Sequence, residues 1–202
     1  MATSEDVLTF WFGSAPQADQ LAQDRMRLWF QGGPEVDREI AERFGADLVR
    51  ARRGELNGWV ETPRGRLALI ILLDQFSRNI HRGSGDAFAS DAQALDLTLD
   101  GLANGHDQPL SCFEQLFFTI PLEHAEDLAM QDRMITYLEA WSQRLPETLQ
   151  GMAKGVRDFA QMHRAVIARF GRFPTRNAAL GRSSTPEEAA HIEAAKAAGH
   201  PV

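Results

Sequence analysis

The segment opening at Pro63 ends in a concentration of groups able to do chemistry: Asp74, Gln75, Arg78, Asn79 and Arg82. Asp74 follows directly on the apolar run Leu67 to Leu73, so its carboxylate is expected to be withdrawn from water and paired. Arg78, four residues on, is the first candidate partner. A second set, Arg172, Arg176, Asn177 and Arg182, lies in the loop from Gly171 to Ser184. The dipeptide Arg-Asn stands in both, at 78–79 and 176–177. Guanidinium forks match carboxylates and phosphates bidentately, so the two segments brought together would form a concave site for an anion, either a small molecule or an acidic peptide. The same residues also suit a scaffold, with Arg172 and Arg176 pairing with Asp74, Asp91 or Glu123; spacing leaves both readings open.

Three further residues carry acid–base potential. His163 falls on the stripe of Met152, Val156, Phe159, Val166 and Phe170, where an imidazole is either a hydrogen-bonded core group or a proton carrier near neutral pH. Glu123 and His124 follow Pro121 at an expected helix start and, being adjacent, point to different sides, one of them toward the groove. An enzyme using His163 or Glu123 as acid or base is therefore one reading, beside a binder of a small anion and a protein-interaction module.

Other chemistries are excluded by pattern. There is no Gly-x-Ser-x-Gly elbow, no phosphate-binding P-loop, no dinucleotide fingerprint and no His-Glu-x-x-His pair. Glu188 and His191 have di-iron-like spacing, but as a single copy on a polar terminal helix they read as surface. No metal and no cofactor is expected. Cys112, the single cysteine, lies in an apolar setting and reads as a buried small hydrophobe.

The elements that position these groups read as helices throughout. Ser4 is a candidate cap for a first helix, and residues 21–30 form a short amphipathic piece. Pro34 opens a helix with Val36, Ile40, Phe44 and Leu48 on one face. Thr62-Pro63 opens the next, closed by Gly83, and residues 86–104 form another with Phe88, Leu95, Leu99 and Leu102 inward. A helix from Phe113 is expected to be cut by Pro121, with a new one over 122–144 and another over 147–170. Thr185-Pro186-Glu187-Glu188 is a capping box. No alternation long enough for a strand occurs. The expectation is one all-α domain over 1–202, core about 4–199, built of antiparallel helical hairpins.

A chain of 202 residues, 44% hydrophobic and 24% charged, is ordinary for a soluble globular domain. Its longest apolar run is far short of the roughly 20 residues that span a bilayer. The acidic N-terminus lacks the basic region of a secretory signal, so a cytoplasmic location and no membrane partner are expected. The net charge of −7 conceals a basic stretch: residues 151–182 hold seven Lys and Arg against Asp158 alone. That stretch either docks on acidic surface of its own chain or attracts an anion. It is too short, and the sequence pI of 5.4 too low, for a nucleic-acid partner.

Several motifs together are distinctive: Phe10-Trp11-Phe12-Gly13; Leu72-Leu73-Asp74-Gln75-Phe76 running into Arg78-Asn79 and Arg82-Gly83; Ala87-Phe88-Ala89 with Asp91; Pro121-Leu122-Glu123-His124; and Arg169-Phe170-Gly171-Arg172-Phe173-Pro174 running into Arg176-Asn177 and Leu180-Gly181-Arg182. From about Val7 to Glu188 the chain resembles a mainly bacterial family, domain of unknown function 924. The resemblance implies a tetratricopeptide-like α-α superhelix and no established activity. Ser77, His81, Ala125 and Thr175 depart from the residues common in that family, which argues against chemistry at His81.

Overall fold

The computed structural model describes residues 1–13, 23–30 and 32–197, and among these the fold is all-α without a strand. The expected break over Gly13–Pro16, the start of the 21–30 piece and the far end of the core lie partly outside the described residues. Helix α1 (Ser4–Phe12) is capped by Thr3 rather than Ser4: the Thr3 hydroxyl accepts from the Asp6 N–H, and the Asp6 carboxylate accepts from the Thr3 N–H. Helix α2 (Gln23–Phe30) precedes α3 (Pro34–Arg52), which buries Ile40, Phe44 and Leu48 on the predicted face. Thr62 caps α4 (Pro63–Ile70) by accepting from the Gly65 N–H at 3.1 Å.

The helix expected over 63–83 is not regular. After α4 the chain widens into a π-helical segment, Ile71–Phe76, and resumes as α5 (Ser77–Ile80). Leu67 to Leu73 are all fully buried, as an apolar run without a polar face requires. Phe76 anchors the segment edge-on against Phe10 and Trp11 and also meets Phe44, in the aromatic cluster that α1 and α3 supply.

A 3₁₀ turn at Gly85–Phe88 leads into α6 (Asp91–Ala103). Its buried line is Ala94, Thr98 and Gly101, beside the expected leucines. Leu95, Leu99 and Leu102 are half-buried and pack on a second apolar cluster. The small line lets α6 approach closely: the Thr98 hydroxyl donates to the Phe118 carbonyl at 3.0 Å. Helix α7 (Cys112–His124) runs through Pro121 instead of ending before it. Proline removes one backbone donor there, and packing against α6 and α8 carries the helix one turn further. Glu123 and His124 therefore close α7 and do not open a helix. Cys112 is half-buried, at the helix start, rather than buried.

Helix α8 (Leu128–Gln143), capped by Asp127, packs along α9 (Gln150–Phe170), which ends on Gly171 in the left-handed conformation. The 3₁₀ turn Pro174–Arg176 and α10 (Pro186–Ala197) follow, the latter opened by the expected capping box between Thr185 and Glu188. The two apolar clusters share Leu102, Cys112, Leu149 and Met152 at their border. No helix among the described residues is long and apolar enough to cross a membrane.

The close approach of α6 makes Gly101 restrictive. A Cβ there would lie 2.4 Å from Phe118 Cζ and 2.7 Å from Arg66 Cδ. Gly101→Ala is expected to cost about 1–3 kcal/mol by overpacking, seen as a lower urea midpoint with unchanged m-value. An unchanged midpoint would show that the ring and the arginine stem yield freely.

Candidate functional site

Asp74 sits in the π-helical segment with a relative exposure of 1%. Such segments are uncommon and recur at functional sites, because the widened turn redirects side chains. Burial opposes ionisation of this carboxyl, but the charge of Arg78 and the hydrogen bonds from His124 and Gln75 outweigh it and hold the group well below the usual carboxylate range. Arg78 Nη1 donates to Asp74 Oδ1 at 3.0 Å and to the Asp74 carbonyl at 2.9 Å, the predicted i,i+4 pair. Gln75 Nε2 donates to Oδ2 at 2.6 Å. His124 Nδ1, from the end of α7, lies 2.8 Å from Oδ1 and 3.0 Å from Oδ2.

An ionised carboxylate only accepts, so His124 carries its proton on Nδ1 and leaves Nε2 as an acceptor. Burial, reinforced by Arg78, pushes the imidazole below its ordinary 6.5, against the opposing pull of Asp74. The ring is therefore neutral at pH 7. Among the described residues its Nε2 has no partner, and it is not among the buried orphaned atoms, so it reaches solvent. The position of His124 is fixed from behind by buried Gln131, whose Nε2 donates to the carbonyls of Glu123 at 2.7 Å and Ala125 at 2.8 Å.

The network then runs outward. Arg78 binds Asp91, at the start of α6, with two parallel bonds of 2.9 Å. Arg176 reaches the same carboxylate, Nη1 to Oδ2 at 3.3 Å. Its guanidinium lies over the rings of Phe88 (4.7 Å) and Phe173 (4.5 Å). Thus Arg78 and Arg176 converge, whereas the asparagine beside each does not. Asn79 and Arg82 both turn to Asp37 on α3. Asn177 is buried and donates to Ser184.

The remaining arginines of the loop dock internally, on partners the sequence reading did not name. Arg172 makes two bonds to Glu188, and Arg182 makes two to Glu126. Glu126 Oε1 also accepts from the Phe173 N–H at 2.8 Å, which locks the loop beneath Arg176. Buried Phe173 and Asn177 pin the loop, whereas Leu180 is exposed. His163 Nδ1 stands 2.8 Å from Glu123 Oε1, close but out of line for a hydrogen bond, with its ring between Phe159 (4.4 Å) and Phe173 (5.2 Å). Glu123 and His124 thus divide, one to His163 and the other to Asp74.

Asp91, Glu126, Gln131, Phe88 and Phe173 complete the arrangement. Of these Asp91, Phe88 and Phe173 carry a signal in the sequence, the first as an acidic residue available to an arginine and the rings as motif residues; Glu126 and Gln131 carry none. Among the described residues no group of three or more His, Cys, Asp and Glu is placed to hold a metal ion. A cavity of about 230 Å³ between α8 and α9, lined by Glu139, Lys154, Arg157 and Asp158 among others, shares no residue with this cluster.

Residues 7–196 match the model of a family described as bacterial protein of unknown function, DUF924. The chain belongs to that family. Its fold is similar to that of a protein of unknown function from Agrobacterium tumefaciens, at 35% identity and a TM-score of 0.77, over 95% of this chain and 97% of that one. No match is found among curated proteins.

Two stability measurements check the electrostatics. Asp74→Asn removes the buried charge that shares Arg78 with Asp91 and should cost a few kcal/mol, about 2–4, seen as a large fall in melting temperature; an unchanged value would refute the pairing. The pH dependence has a defined sign. As pH falls through about 6.5 the unfolded imidazole takes up a proton that folded His124 does not, so stability declines on acidification. A second decline follows below about 4, where unfolded Asp74 protonates and the folded carboxylate does not. His124→Asn, whose amide can still donate to Asp74, should flatten the upper window and leave the lower one.

Proposed function

We propose that this protein binds a small anionic ligand, bearing a carboxylate or a phosphate, at the cluster formed by Arg176, His124 and the Arg78–Asp91 pair. The observation that carries the reading is the state of Arg176. Arg78, Arg82, Arg172 and Arg182 each have a carboxylate gripped by two bonds. Arg176, only 13% exposed at its side chain, has one contact of 3.3 Å to a carboxylate that Arg78 already holds. Burial, with the like charge of Arg78 beside it, pushes this guanidinium down to about 10. It stays charged at neutral pH, and among the described residues nothing engages its Nε and Nη2. A buried cation so incompletely satisfied is a receptor for an anion.

The neighbours suit a ligand. Phe88 and Phe173 hold the guanidinium plane in place, and His124 Nε2 offers an acceptor to a hydroxyl or N–H of the bound molecule. Asn79, Arg82, Arg172, Asn177 and Arg182 act as framework in this reading, and His163 with Glu123 forms a flank reached through Phe173.

Binding to the native state alone raises stability by RT ln(1 + [L]/Kd), about 2.7 kcal/mol at a hundredfold excess over Kd. Succinate or phosphate should raise the melting temperature above a sodium chloride control of equal ionic strength. Arg176→Ala should fold and lose the shift. If neither anion shifts the wild type and Arg176→Ala is itself strongly destabilised, the cluster is scaffold.

A further inference from the structure

We infer that the site is catalytic: His124, oriented by Asp74, is the general base of an esterase-type hydrolysis acting on a substrate that carries a free carboxylate. The inference rests on the anion-binding reading and narrows it. Three observations carry it. His124 Nδ1 is tied to a buried carboxylate at 2.8 Å, which fixes both the ring and the tautomer and turns the unprotonated Nε2 outward. Asp74 is itself immobilised by Arg78 and Gln75, so the dyad is rigid before any ligand arrives. Among the described residues no group bonds Nε2. The proton it takes therefore comes from water or substrate and not from a side-chain nucleophile.

The charge of the cluster selects the substrate. Asp74 and Asp91 are balanced by Arg78 and Arg176, and His124 adds none. One carboxylate on Arg176 gives a single uncompensated negative charge; a phosphate dianion would give two in a partly buried place. The geometry therefore favours a monoanionic carboxylate as the handle, with the scissile ester elsewhere on the molecule.

The step balances within water and substrate. Nε2 accepts a proton from water as the water oxygen bonds to the acyl carbon. The tetrahedral adduct then expels the alcohol oxygen, breaking the C–O bond, and the imidazolium returns the proton to that oxygen. One water is consumed, and an acid and an alcohol are formed. Asp74 is a positioning residue: it keeps the proton on Nδ1 and stabilises the imidazolium formed in the step. The charged groups that face His124 are Asp74, Arg78 and Asp91.

The test uses the full chain and two chromogenic esters, the 4-nitrophenyl monoester of succinic acid and neutral 4-nitrophenyl butyrate. The wild type should hydrolyse the succinate ester preferentially. His124→Asn should lower kcat/KM roughly a hundredfold or more while keeping the succinate-induced rise in melting temperature. Asp74→Asn, which can present a donor to Nδ1 and reverse the tautomer, should lose turnover. Asp74→Glu should recover part of it and displace the acid limb of the pH profile. Arg176→Ala should raise KM for the succinate ester and erase its advantage over the butyrate. Should either the histidine or the aspartate variant fail to fold, the wild type and Arg176→Ala still decide: the wild type must prefer the succinate ester to the butyrate, and Arg176→Ala must lose that preference. A wild type that shows the succinate shift but hydrolyses neither ester, or a His124→Asn variant as active as wild type, overturns the catalytic inference and leaves anion binding standing. A shift with phosphate but none with succinate overturns the carboxylate-ester inference and leaves anion binding standing; no shift with either anion overturns both.

Discussion

A carboxylate buried beside a seven-residue apolar run is the constraint from which the polar architecture follows. Removing Asp74 from water costs several kcal/mol unless it is paired and hydrogen-bonded. Arg78 supplies the charge, and His124 and Gln75 fill the remaining lone pairs. That solution creates the next demand, because Arg78 is itself largely withdrawn and needs more than one carboxylate shared with an imidazole. Asp91 meets it with a bidentate pair, and Arg176 then compensates Asp91. Each partner comes from a different place in the chain: the π-helical segment, α5, the start of α6, the end of α7 and the loop after α9. Neutralising one charge thereby sets the relative positions of five segments.

Two departures from ideal helix geometry make this possible, and both lie at the cluster. The π-helical segment sends Phe76 into the aromatic core while Asp74 meets Arg78 and His124. The passage of α7 through Pro121 carries Glu123 and His124 one turn beyond the expected stop, where Gln131 fixes them. Local rules broken with specific compensation are a mark of functional positions.

The legible parts of the sequence were those governed by local spacing. The stripe of Ile40, Phe44 and Leu48, the burial of Leu67 to Leu73, the caps at Thr62 and Thr185, and the Asp74–Arg78 pair all follow from helical periodicity or i,i+4 geometry. The π turn was not legible, because the period analysis assumes 3.6 residues per turn throughout. The intrinsic tendency of Pro121 to end a helix is overridden by tertiary packing. On α6, hydrophobicity marks the leucines that pack on the second cluster but not the closer line, where Thr98 and Gly101 meet Phe118. Long-range choices were beyond spacing altogether: nothing local distinguishes Glu188 as the partner of Arg172, Glu126 as that of Arg182, or Asp37 as that of Arg82.

The basic stretch after Gly151 now divides into two kinds of arginine, and the division explains how a loop can hold a site. Loops are ordinarily the mobile part of a fold, and a recognition group on a mobile loop must be ordered at the expense of affinity. Here Arg182 binds Glu126, the Phe173 carbonyl and Asn177 at once, Arg172 ties the same loop to the start of α10 through Glu188, and Phe173 and Asn177 are buried. These docking arginines are partly exposed pairs whose individual worth is small, but together they fix the backbone on either side of Arg176. Stacked over Phe88 and Phe173, its guanidinium is oriented without its donors being consumed. In the proposed reading a cation held by its face and left open along its edge is preorganised for an anion; Arg172 and Arg182 place it, while Lys154, Arg157, Arg164 and Arg169 bond elsewhere.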